Sequence, residues 1–153
     1  APVGFYNALT WNLETSEASS DIAGNTIVLQ GQATKNKQTI NFDLGFNQPT
    51  KYICGEFVSE NRQGMVASNA PGQVEATFHF VHIVGDASVP LDDALNHDAL
   101  GFHPLAVLTI KLSLELDEQD LSSSLSDQNY QKLTEAVLGL GHVGEGHCVI
   151  SNQ

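Results

Sequence analysis

Two runs, "NTIVLQGQA" (25–33) and "QTINFDLGF" (38–46), alternate apolar and polar residues. A period of two marks a β-strand, because successive side chains leave a pleated chain on opposite faces. In the second run Ile40, Phe42, Leu44 and Phe46 share one side. A face that apolar must be covered by another layer, and this requirement narrows the folds open to the chain more than any other feature.

Further strands are predicted in "GFYNALTWNLE" (4–14), "KYICGEFVS" (51–59), "QVEATFHFVHIV" (73–84) and "LAVLTIKLSLEL" (105–116). In 73–84, Val74, Ala76, Phe78 and Phe80 take one side, with Glu75, Thr77 and His79 on the other. The connection "ENRQGMVASNAPG" ends in Pro-Gly, which predicts an antiparallel hairpin between 52–59 and 73–83. In 105–116, Leu108, Ile110, Leu112, Leu114 and Leu116 line one face. One helix is clear over 126–139. Ser126 is its N-cap, Tyr130, Leu133, Val137 and Leu138 form its apolar stripe, and Gly139 and Gly141 stop it. A shorter helix fits "LDDALNHDAL" inside the 86–104 connection. The terminal "CVIS" is expected to join a sheet. The expected architecture is one domain, 1–153, mostly β: an antiparallel β-sandwich with one C-terminal helix and a short helix in the long connection.

The charge narrows the partners. Six Lys+Arg against 18 Asp+Glu give a formal net charge of −12. Such a surface repels nucleic-acid phosphates and anionic lipids and attracts cations. No apolar stretch reaches the roughly 20 residues that a membrane-spanning helix needs. The start "APV" resembles an end exposed by signal-peptide cleavage, which predicts a mature periplasmic or extracellular protein. Cys54 and Cys148 are the two cysteines, and in an oxidising compartment they are expected to bridge.

The six histidines all fall in the second half of the chain. His79 and His82 sit at a strand end with Asp86 just beyond. His142 and His147 flank Glu145 in the glycine-rich tail, and His97 and His103 lie in the long connection. Positions 79 and 82 of a regular strand face opposite ways, so they share one metal only if the strand bulges or ends near Ile83. A Cys54–Cys148 bridge would tie His147 to the strand at 52–59. If that strand pairs with 73–83, Cys54 lies opposite Phe78 or His79, and His79 and His147 converge provided they share a face. Neutral imidazoles with a carboxylate or two suit zinc, copper or nickel, of which copper and zinc are the expected metals. There is no CxxC for a thiolate zinc site and no HExxH for a zinc protease. Asp86, Asp92, Asp93, Asn96 and Asp98 offer oxygens for calcium, without the spacing of an EF-hand loop.

"VEATFHFVHIVGD", "LNHDALGFHPLA" and the terminal "GHVGEGHC" resemble pieces of the MbnP-like periplasmic copper-associated proteins, over about residues 40–148. The resemblance implies an exported, β-rich, disulfide-bonded protein that handles metal, copper foremost, at His79, His82, Asp86, His142 and His147. That family usually carries more cysteines than the two here. "FHFVHIV" followed by "LAVLTIKL" is also similar to part of the α-carbonic anhydrases, but "YICGEFVSE" has no histidine where they need two, and the chain is too short.

The sequence has no G-x-S-x-G and no glycine-rich phosphate loop after a strand, so nucleophilic catalysis has little support, while a catalytic metal stays open. The expected function is metal binding or delivery. The alternative is a structural or adhesive sandwich subunit that self-associates by donating "GFYNALTW" as a strand. Carbohydrate recognition ranks last, because the single Trp and three Tyr must also serve the core.

Overall fold

The computed structural model describes residues 1–6, 8–54, 65–70, 72, 74–143 and 146–151. Its elements, in chain order, begin with β1 (Gly4–Phe5), β2 (Leu9–Leu13), β3 (Ile27–Lys35), β4 (Gln38–Phe46), β5 (Thr50–Cys54), β6 (Met65–Val66) and β7 (Ala76–Phe78). Helices α1 (Val81–Val84), α2 (Ala94–Asp98) and α3 (His103–Ala106) follow, then β8 (Ser113–Leu116), α4 (Glu118–Ser124) and α5 (Asp127–Leu138). The chain closes with β9 (Gly141–Val143) and β10 (Gly146–Ile150). The fold is β-rich, with antiparallel sheets and a few short helices. The chain gathers into two compact units, each built from separated segments.

The first unit comprises Ala1–Asn12, Thr50–Phe80 and Leu138–Gln153. Its main sheet has the order β2-β5-β10-β9-β7, and β1 pairs with β6. Within "GFYNALTW", Gly4–Phe5 and Leu9–Trp11 therefore pair with strands of the chain itself. The disulfide joins Cys54 to Cys148, which face each other directly across the β5–β10 ladder with Cα atoms 4.2 Å apart. This order corrects the expected hairpin. The C-terminal strands β10 and β9 separate β5 from β7, and Cys54 lies opposite Cys148 rather than Phe78 or His79. Local turn signals pair neighbours in sequence, whereas here a covalent link between residues 94 apart supplies the partner.

Direct cross-strand partners share a face. The register places Tyr52, Cys54, Cys148, Gly146, Val143, Gly141 and Phe78 on one side of this sheet. Trp11 completes that side, stacked on Tyr52 at 4.5 Å between centroids and edge-on to Phe78 at 5.2 Å. Its indole N–H donates to Cys54 Sγ at 3.1 Å. Gly141 is required under this cluster, since a Cβ there would lie 2.6 Å from the Tyr52 ring. The Tyr52 hydroxyl is buried without a hydrogen-bond partner among the described residues, and burial raises its pKa above the ordinary phenol value.

The second unit comprises Leu13–Pro49 and Val81–Val137. The β3–β4 hairpin realises the alternation that opened the sequence reading. Leu29 pairs with Leu44, Ala33 with Ile40, and Gly31 with Phe42, whose ring occupies the space a Cβ would need. The other face carries matched polar pairs: Gln30 with Asp43, Gln32 with Asn41, and Thr34 with Thr39. β8 adds to β4 in parallel. Ser126 accepts from Asn129 N–H at the start of α5, which buries Leu133 and Val137. The short helix of the 86–104 connection is α2, capped by Asp93, whose side chain accepts from Leu95 N–H.

Two predicted strands are shorter than their patterns. Residues 105–116 keep strand only at 113–116. Lys111 and Leu112 adopt positive φ in a tight turn closed by the Ile110–Ser113 bridge, leaving Ile110 75% and Leu112 47% exposed. The apolar run therefore breaks before β8, and α3 occupies its start. Of the predicted strand at 73–84, the described residues keep strand only at 76–78 and pass into α1. Of the predicted strand at 51–59, β5 ends at Cys54, and 55–59 lie outside the described residues.

Replacing both Cys54 and Cys148 with Ala should lower stability by about 4–5 kcal/mol on the chain-entropy model, read from denaturant midpoints. Disulfides quench nearby excited indoles, so reduction of the folded protein should also raise Trp11 emission; unchanged emission would contradict the Trp11–Cys54 contact. Tyr52→Phe removes a buried hydroxyl that lacks a partner, a group costing about 1–3 kcal/mol. The variant should equal or exceed the parent in stability. The raised phenol pKa means that the folded state keeps a proton which the unfolded chain gives up above about pH 10. Parent stability should thus fall as pH climbs past that value, and the part due to Tyr52 should vanish in Tyr52→Phe.

Candidate metal centre

The face of the first unit's sheet opposite the disulfide carries imidazoles. Cys148 and His147 are consecutive in β10, so if Cys148 points to the aromatic side, His147 points away. His147 lies directly across from His142 in β9, and His142 directly across from Thr77 in β7. The ladder runs one residue beyond β7, where His79 N–H donates to Leu140 O at 3.2 Å. His79, two residues after Thr77, therefore returns to the same face. The rings confirm the parity: His79 stacks on His142 at 4.1 Å with planes 8° apart, and His147 tilts against His142 at 4.0 Å. His142 is 3% exposed, His79 half-buried and His147 exposed.

His82 reaches this group through a change of backbone. Strand geometry would send it away from His79, but β7 ends at Phe78, Phe80 lies in a turn, and α1 begins at Val81. One ligand nitrogen from each of His79, His82 and His142 lies within 4.8 Å of the others. Three imidazoles gathered this closely can hold a metal ion. The sequence required a bulge or a strand end near Ile83, and the strand ends earlier, at Phe78. His147 lies beside His142 but outside this group of three.

The remaining candidates sit elsewhere in their own contacts. Asp86 closes a turn, its carboxylate accepting from Ser88 N–H at 2.8 Å. The Ser88 hydroxyl and then its N–H hold that carboxyl below the ordinary aspartate range. Asn96 ties the same loop together, with its Oδ1 accepting from Asp86 N–H and its Nδ2 donating to the carbonyls of Asp86 and Pro90. His97 places Nδ1 3.0 Å from Asp98 Oδ1 in a pair about four-fifths exposed, where such pairs contribute little. His103 is exposed at the first turn of α3. Glu145 lies outside the described residues. For calcium, Asp93 serves as a helix cap and Asn96 as a loop clamp. No acidic cluster of the 86–98 connection gathers as a cation site among the described residues.

The sequence reading placed Thr77 on the His79 side of its strand but did not assign it to the site. Thr77 Oγ1 lies 3.2 Å from His79 Nε2. Its position two residues before a histidine in a strand was the available signal, since i and i+2 share a face. No family model, curated protein or solved structure matches the chain.

Proposed function

We propose that this chain is an exported metal-binding protein that holds a transition metal, copper or zinc, at His79, His82 and His142, for binding or delivery rather than turnover. The observation that carries the reading is the approach of the three ligand nitrogens within 4.8 Å. Imidazole–metal bonds are about 2.0–2.1 Å long, so side-chain rotation brings nitrogens at this spacing onto one ion. Neutral imidazoles suit both metals, and among divalent ions the Irving–Williams order favours Cu(II). The resemblance to the MbnP-like proteins points to copper as well. The net charge of −12 draws cations towards the protein. The cystine is in keeping with an oxidising compartment, periplasmic or extracellular.

Untagged protein titrated with Cu(II) and with Zn(II) should take up one equivalent. His142→Ala should weaken binding by more than the roughly 10–100-fold that loss of an outer-shell partner costs. His97→Ala and His103→Ala should leave it unchanged. Protons compete with the metal for ligand imidazoles, so uptake should weaken as the solution is made more acidic. Equal affinity in the parent and His142→Ala would defeat the proposal.

A further inference from the structure

The side chain that decides how His79 presents itself is Thr77. A neutral imidazole carries its proton on one nitrogen and a lone pair on the other, and only the lone pair ligates a metal. Ligand histidines are set by whatever engages the second nitrogen, and partners of that kind fix both tautomer and ring direction. Thr77 Oγ1 is 3.2 Å from His79 Nε2, which leaves Nδ1 as the other nitrogen of the ring.

Both members of the pair are held from behind. Thr77 lies in β7 in register with His142. Its β-branched side chain has restricted χ1 freedom, so its hydroxyl is a fixed rather than a searching group. The His79 backbone is tied by its N–H to Leu140 O, and its ring lies flat on His142. The hydroxyl thus meets a ring whose position the strand pairing and the stack already define.

We infer that Thr77 is a positioning residue. Its hydroxyl oxygen accepts from the Nε2–H of His79, holds the ring in that tautomer, and directs the Nδ1 lone pair to the metal. This role rests on the metal-binding reading for its purpose, but the tautomer itself exists without metal and is measured separately. Arrangements of this kind are worth 10–100-fold in metal affinity in other sites.

The test uses the full chain, with Thr77→Val as the near-isosteric variant lacking the hydroxyl and Thr77→Ser as the one restoring it. In metal-free protein, long-range 1H–15N correlation spectra of the imidazoles should show His79 as the Nε2–H form in the parent and in Thr77→Ser. Thr77→Val should give averaged nitrogen shifts. Titration with Cu(II) should show Thr77→Val weakened roughly 10–100-fold and Thr77→Ser within about threefold of the parent. The Cu(II) electron paramagnetic resonance signal should change in the valine variant alone. An unchanged His79 tautomer in Thr77→Val overturns the inference whatever the metal does. If the tautomer responds while Cu(II) and Zn(II) fail to bind even the parent, the metal-binding reading falls and the directing role falls with it. If the parent binds metal and Thr77→Val binds equally well, the inference fails and the metal-binding reading stands.

Discussion

The Cys54–Cys148 bond fixes where the end of the chain goes. Without a link between these residues, β10 has three register positions against β5, from Cys148 to Ile150, and Val149 and Ile150 remain 64% and 39% exposed. Burial contributes little to holding such a strand. A covalent cross-strand link does, by removing the entropy of closing a long loop. Because β10 carries β9 beside it and β9 carries β7, the bond orders four of the sheet's five strands. Every imidazole contact on the far face depends on that order.

Strand alternation turns this covalent constraint into a chemical one. Cys148 and His147 are neighbours in sequence and therefore belong to opposite faces. One face closes on sulfur, Trp11, Tyr52 and Phe78, and the other presents His147, His142, Thr77 and His79. Gly141 serves both. Its missing side chain lets the Tyr52 ring lie against β9, while the next residue, His142, forms the middle of the imidazole row. The apolar side carries the cystine and aromatic cluster and the polar side carries the imidazoles, within a single layer of backbone.

The local features of this fold were legible in the sequence. The alternation at 25–46 became β3 and β4, the Ser126 cap and apolar stripe became α5, and the cysteine pair became a disulfide, because each depends on residues close in sequence or on a general chemical rule. Strand order was not legible. The Pro-Gly connection suggested that β5 and β7 were hairpin partners, and nothing local announced that two strands from the far end of the chain would separate them. The run at 105–116 misled for a different reason. Its period-two pattern is genuine, but the tight turn at Lys111 and Leu112 breaks it and leaves Ile110 and Leu112 exposed, so propensity gave way to chain reversal.

The histidine group was half legible, and the missing half is instructive. His79 and His82 stood out by composition, yet their spacing argued against a shared ligand for as long as the strand was taken to continue. The strand stops because β7 finds only three partners on β9, Gly141 to Val143, and past Leu140 the facing chain leaves to become α5. A strand without a neighbour loses its ladder hydrogen bonds, and its backbone must satisfy those groups another way. A helical turn at Val81–Val84 does so locally. The convergence of His82 with His79 and His142 thus follows from the length of a strand at the opposite end of the sequence, a quantity that no window around residues 79–82 contains.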